Sequence, residues 1–167
     1  GLTSGYLPLG ACIISDRVMD QMTGPDQDTL FSNGYTYSAH PVSCAAALKN
    51  IEIFENEKIL EHVKAVSPHF QNRLQALRKF PIVGDVRGQG LLACIEGRPE
   101  TDGTNLAAQR KLGALLDEAC EDMGLLVRPL INMAVFSPPL IITKPEIDEM
   151  FGILEKALER VTAMMDA

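Results

Sequence analysis

Several classes of function fail for want of the residues they need. The chain has 167 residues with 15 Lys and Arg against 22 Asp and Glu, a net charge of −7. No long Lys/Arg cluster interrupts that acidic balance, which argues against binding nucleic acid or an anionic membrane surface. No apolar run reaches the roughly 18 residues a membrane span needs. The four cysteines, Cys12, Cys44, Cys94 and Cys120, are far apart and form no CxxC pair, so neither a disulfide framework nor a metal site is expected. Reduced thiols in a cytoplasmic protein are the default. There is no GxGxxG, no Walker loop, and no local support for a Ser-His-Asp or Cys-His constellation. The opening residues 1–16 lack a basic segment followed by a long apolar one, so they are not expected to be a signal peptide. They read as the middle of a longer chain.

What is present fits a soluble globular domain: 46% hydrophobic, 22% charged and 5% aromatic residues. The opening Gly1-Leu2-Thr3-Ser4-Gly5-Tyr6-Leu7-Pro8-Leu9-Gly10 predicts a loop. Ala11-Cys12-Ile13-Ile14 predicts a short strand, and Asp16 predicts the N-cap of a helix over 17–22. Residues 23–33 predict mostly loop. From Val42 the Ala-rich pattern predicts a helix to about Glu55. A second helical region over 57–78 contains Pro68, which either kinks it or restarts it.

Residues 82–87 and 91–95 predict two strands around Gly88-Gln89-Gly90. A loop is expected over 97–104. A helix over 106–123 then closes at Gly124, followed by strands over 125–128 and 134–137. The last helix, to about Met164, starts at Thr143 with Glu146 at capping-box spacing. The mixed order implies an α/β or α+β arrangement, with a domain boundary near Asn56.

Chemistry-bearing residues are few. Asn33-Gly34-Tyr35-Thr36-Tyr37-Ser38-Ala39-His40-Pro41 sets hydroxyls beside a glycine just ahead of a helix, a pattern suited to a phosphate dianion and equally to a capped turn. Arg128 ends an apolar strand before Pro129. It suits either a substrate carboxylate or a solvated ion pair. Arg87 stands among glycines in a predicted hairpin, where a solvated arginine is the commoner case. His62 and His69 lie seven apart and lack a third ligand, so they are read as surface or interface residues. Met150, Met164 and Met165 are read as packing.

Taken together, several segments resemble the class III, or omega-type, aminotransferases that use pyridoxal phosphate. The opening stretch 1–11 looks like the segment after their cofactor lysine. Residues 33–48 look like their phosphate-contacting loop and following helix. Val83-Gly84-Asp85-Val86-Arg87-Gly88-Gln89-Gly90-Leu91-Leu92 resembles the start of their C-terminal domain. Gly124-Leu125-Leu126-Val127-Arg128-Pro129 and Ser137-Pro138-Pro139-Leu140-Ile141-Ile142-Thr143 resemble later parts of it.

The resemblance implies a type I fold of pyridoxal-phosphate enzymes, with residues 1–56 ending the large cofactor domain and 57–167 forming the small one. It implies a homodimer with active sites at the subunit interface, exchanging an amino group between an amine donor and a keto acid or aldehyde. Thr36, with Tyr35 and Gly34, would contact the cofactor phosphate. Arg128 would bind the substrate carboxylate, and Tyr6 would line the pocket. The lysine is expected immediately before Gly1, so the chain alone is not expected to catalyse transamination. Ile131-Asn132-Met133-Ala134 departs from a turn that often contains glycine. An aminomutase, or a non-catalytic dimerisation domain that kept the fold, stays open beside this reading.

Overall fold

The computed structural model describes residues 1–23, 33–99 and 105–165. The loops expected over 24–32 and 100–104 lie outside the described residues. The chain divides into two compact units, Gly1–Lys58 and Ile59–Ala167.

The first unit holds helices α1 (Asp16–Met22) and α2 (Pro41–Asn56). Ser15, not Asp16, is the N-cap of α1. The predicted strand at Ala11 to Ile14 does not form. Ile13 is 97% exposed, and no strand pairs with this stretch among the described residues. An apolar run makes a strand only where a ladder partner exists. Asn50 of α2 ties down the opening loop, accepting from Ser4 Oγ at 2.7 Å and donating to the carbonyls of Leu2 at 3.1 Å and Gly1 at 3.4 Å.

In the second unit, α3 (Ile59–Ala76) runs unbroken through Pro68, with a 3₁₀ turn at Leu77–Lys79 after it. The restart at Pro68 does not occur. Both Pro68 and Lys64 are exposed, so the carbonyl that proline leaves unpaired can meet water. The strands are β1 (Val83–Gln89), β2 (Leu92–Gly97), β3 (Arg128–Leu130) and β4 (Met133–Phe136), with α4 (Leu106–Asp122) and α5 (Lys144–Met165). They form one antiparallel sheet in the order β1-β2-β4-β3.

Alternation decides the faces of that sheet. Val86, Ala93, Ile95, Ala134 and Phe136 are buried, as the two-residue period requires of one face. Against them pack Phe70 and Leu74 of α3, Leu112 and Leu116 of α4, and Phe151 and Leu154 of α5. Phe70 and Phe151 meet edge to face with centroids 5.2 Å apart. Met150 packs in this core. The other face carries charge. Arg87 Nη1 lies 2.9 Å from Asp85 and 2.7 Å from Glu96, and Arg78 reaches Asp85 at 2.9 Å. The arginine pairs hold the Asp85 carboxyl below its ordinary range, Arg87 most of all.

The expected strand over 125–128 starts instead at Arg128. Gly124 (φ +85°) closes α4, its N–H donating to Glu121 while the Leu125 N–H donates to Cys120 at 2.9 Å. That is a Schellman closure. It takes the Leu125 donor out of any ladder, so β3 begins later and includes Pro129, which an edge strand tolerates. At the start of α5 the capping box forms. Glu146 accepts from the Thr143 N–H and hydroxyl, both at 2.7 Å.

Helix α4 touches the β3–β4 turn through Gly113. A Cβ there would stand 1.7 Å from the Ile131 carbonyl oxygen. Gly113→Ala is expected to cost at least about 3 kcal/mol, because backbone on both sides must move; a urea midpoint within error of the parent would refute this close approach. The Thr143 contacts, the backbone N–H first, lower the Glu146 pKa. A carboxyl depressed on folding stabilises the protein above its unfolded pKa and loses that contribution as the pH falls through the folded value. Glu146→Gln should therefore flatten part of the stability loss on acidification below the ordinary glutamate range, read as urea midpoints across pH. An unchanged acid limb would remove Glu146 from the linkage.

Candidate functional site

The turn at residues 34–40 is shaped by its own polar groups. Ser38 N–H donates to the Tyr35 carbonyl at 2.9 Å, and the Tyr35 N–H donates back to Ser38 Oγ at 3.3 Å. With that oxygen accepting, the Ser38 hydroxyl proton is left to point outward. Ala39 takes a left-handed φ of 54°, which turns the chain into α2 at a cost of about 1 kcal/mol. His40 is the N-cap of α2 and Pro41 its first residue, and the His40 side chain makes no capping bond.

Proline at that position has no N–H to leave unpaired. The amides of the first turn still carry the partial positive charge of a helix start. The His40 ring stacks edge-on against Tyr37 with centroids 5.8 Å apart, and its buried Nδ1 has no hydrogen-bond partner.

Gly34, Tyr35, Thr36 and Tyr37 are all exposed. Nothing lies within 4 Å of where a Gly34 side chain would start, so backbone and an approaching group can meet closely there. Among the described residues the Thr36 hydroxyl has no partner. Pro8, Leu9 and Gly10 face Tyr35, Tyr37, Ser38 and Ala39 across an open cleft of about 420 Å³. Tyr6, two residues before that cleft wall, is 87% exposed. A spare hydroxyl, an open glycine and helix-start amides make a set that fits a phosphate group.

Arg128 lies in the second unit, on the edge strand β3. It is exposed and pairs across the ladder with Val135. Among the described residues it forms no ion pair. It borders a hollow of about 480 Å³ walled by Leu126, Val127, Phe136, Pro138 and Ile142. A guanidinium free of internal partners beside an apolar wall can hold a carboxylate while the wall takes the hydrocarbon attached to it.

The other sequence candidates serve the fold. Arg87 is spent on Asp85 and Glu96. His62 donates from Nε2 to the Ile142 carbonyl at 2.9 Å, and His69 meets Asp148 at 2.9 Å. Both histidines tie α3 to the start of α5. Asn50 was missed at the level of sequence, and Asn132 was read there only as part of a turn. Asn132 is buried in the two-residue link between β3 and β4, and an asparagine between two short apolar runs is a turn signal that could have marked it.

Residues 1–158 match the family profile described as Aminotransferase class-III. The chain belongs to the class III aminotransferases. It is 38% identical over 164 residues to the putrescine–pyruvate aminotransferase of Pseudomonas aeruginosa, covering 98% of this chain and 35% of that one. It is 39% identical over 163 residues to gamma aminobutyrate transaminase 3, chloroplastic, of Solanum lycopersicum, covering 95% and 31% respectively.

Among solved structures, the omega-transferase from Vibrio fluvialis JS17 superposes with a TM-score of 0.86 at 35% identity, over 99% of this chain and 40% of that chain. A PMP-bound aminotransferase from Vibrio fluvialis superposes with a TM-score of 0.84 at 36% identity, over 97% and 36%. The chain thus spans about a third of the length of the curated class III relatives it matches. The type I fold of pyridoxal-phosphate enzymes follows from these neighbours.

Proposed function

We propose that this class III chain works as part of a pyridoxal-phosphate aminotransferase that moves an amino group from an amine or amino acid to a keto acid or aldehyde. Residues 1–56 end the large cofactor domain in this reading, and 57–167 make the small domain. Thr36 donates its hydroxyl to the cofactor phosphate, with the backbone of Gly34 and Tyr35 beside it. Arg128 holds the substrate carboxylate, and Tyr6 lines the substrate pocket. Bound pyridoxal phosphate supplies the electron sink for the reaction. The chain's own residues bind and orient.

The observation that carries this reading is the turn at residues 34–40, where the exposed Thr36 hydroxyl has no partner among the described residues and stands beside the amides of a helix start. The unit that holds it supports the dimer. Its described residues bury only Thr3, Ser43 and Ala47, while Tyr6, Ile13, Tyr35, Tyr37 and Leu48 stand exposed. A unit with so little buried and these side chains exposed fits one that is covered by further protein. A homodimer with each active site at the subunit boundary covers it and presents Thr36 to the partner's cofactor.

A cytoplasmic setting is consistent with four free thiols. Burial pushes the Cys120 thiol up to about 12. No helix among the described residues is long and apolar enough to cross a membrane.

The first test is the visible spectrum of the complete protein. A cofactor band that bleaches on adding an amine donor is the expected result. A colourless protein that stays so with added pyridoxal phosphate would point to a non-catalytic relative. The second is Thr36→Ala in the complete dimer. A hydrogen bond to a charged group is worth about 1.5–3 kcal/mol, so cofactor affinity should fall about tenfold or more. Unchanged affinity would assign the phosphate to other residues.

A further inference from the structure

The strand that carries Arg128 has little to hold it. β3 is three residues long, lies at the sheet edge and, among the described residues, pairs only with β4, through Arg128–Val135, Pro129–Ala134 and Leu130–Met133. Pro129 has no N–H to give to that ladder. Its register therefore depends on the two-residue turn, Ile131-Asn132, that joins it to β4.

That turn is strained. Ile131 has φ +60°, a left-handed conformation that is a genuine outlier for a β-branched side chain. Strain of this kind persists only where the surroundings over-determine the backbone, and here they do. On one side the Ile131 carbonyl is seated on Gly113 of α4, so closely that a Cβ would overlap it. On the other side Asn132 and Gly97 are joined twice. The Gly97 N–H donates to the Asn132 carbonyl at 2.7 Å, and Asn132 Nδ2 donates to the Gly97 carbonyl at 2.7 Å. A Cβ at Gly97 would stand 2.6 Å from Leu112 Cδ2 and 3.1 Å from the Asn132 carbonyl oxygen, so the glycine lets the turn and the buried Leu112 both sit close. Asn132 is 8% exposed, so no water replaces its amide readily.

We infer that Asn132 is a positioning residue for substrate acids. It clamps the strained β3–β4 turn to Gly97 and thereby sets where the Arg128 guanidinium meets the carboxylate. The inference rests on Arg128 binding that carboxylate. Without its side-chain bond the strained turn is held to Gly97 by one backbone hydrogen bond alone, so the short edge strand shifts and the arginine is displaced. An error of about 1 Å in such a group is costly to a substrate that needs it and harmless to one that does not.

The test uses the complete cofactor-loaded enzyme, with pyruvate as an acceptor that has a carboxylate and propanal as one that lacks it. Propionate, an unreactive acid, is titrated calorimetrically. Asn132→Ala should raise the pyruvate KM and the propionate Kd about tenfold, while kcat and the propanal KM stay within about twofold. The double variant Ile131→Gly, Asn132→Ala should recover most of the pyruvate KM, because glycine adopts a positive φ without the clamp. Equal losses for pyruvate and propanal, or none for either, would overturn the inference. So would a double variant that recovers nothing.

Arg128→Ala separates the two layers. If it leaves pyruvate KM and propionate Kd unchanged, the reading of Arg128 itself fails. If it raises both and Asn132→Ala does not, only the role of Asn132 fails. Where the alanine variant does not fold, Asn132→Ser carries the same expectations. A fold lost in both variants overturns the positioning role in favour of a purely structural one.

Discussion

Helix α4 meets the β3–β4 turn backbone to backbone, and the second unit is arranged around that meeting. Gly113 lets the Ile131 carbonyl approach where any side chain would collide with it. The same helix presents Leu112 and Leu116 to the sheet, and Leu112 excludes a side chain at Gly97. Glycines on two different elements thus make room around one helix. Their placement sets the distance of α4 from the sheet, the path of the short edge strand and the position of Arg128.

Around this contact the unit separates charge from carbon. Three helices cover one face of the sheet with aliphatic and aromatic side chains. The opposite face carries Arg87 between Asp85 and Glu96, with Arg78 alongside. The side chains of these pairs are 40–50% exposed to solvent, and such pairs contribute little to stability singly. Their effect is to occupy Arg87, whereas Arg128 has no ion pair among the described residues and borders an apolar hollow. The distinction matters because both arginines sit on strands of one sheet and look alike as isolated residues.

The first unit is built on different terms. Its described residues bury almost nothing large, and its loop is tied to α2 by Asn50 through polar contacts. A segment of this kind gains little from the hydrophobic effect by itself. Its exposed tyrosines and aliphatic side chains need a covering surface, which the proposed dimer of a longer class III chain supplies.

Local signals were legible in the amino-acid order. The Ala-rich helix, the Thr143–Glu146 capping box, the Gly124 closure and the β1–β2 hairpin depend on residues within a few positions of one another, so spacing suffices to read them. The family was legible too, because motifs at 1–11, 33–48, 83–92, 124–129 and 137–143 occur in order along one chain. The predicted strand at Ala11 to Ile14 failed because a strand exists only by pairing, and pairing is not a local property.

For the same reason the register of β3, the continuity of α3 through Pro68 and the separate uses of Arg87 and Arg128 were decided by tertiary contacts. Asn132 is the plainest case. By sequence it is a polar residue in a turn. Only packing against Gly97 and α4, from residues about 20 to 35 positions away in the chain, turns it into the clamp on a strained hairpin.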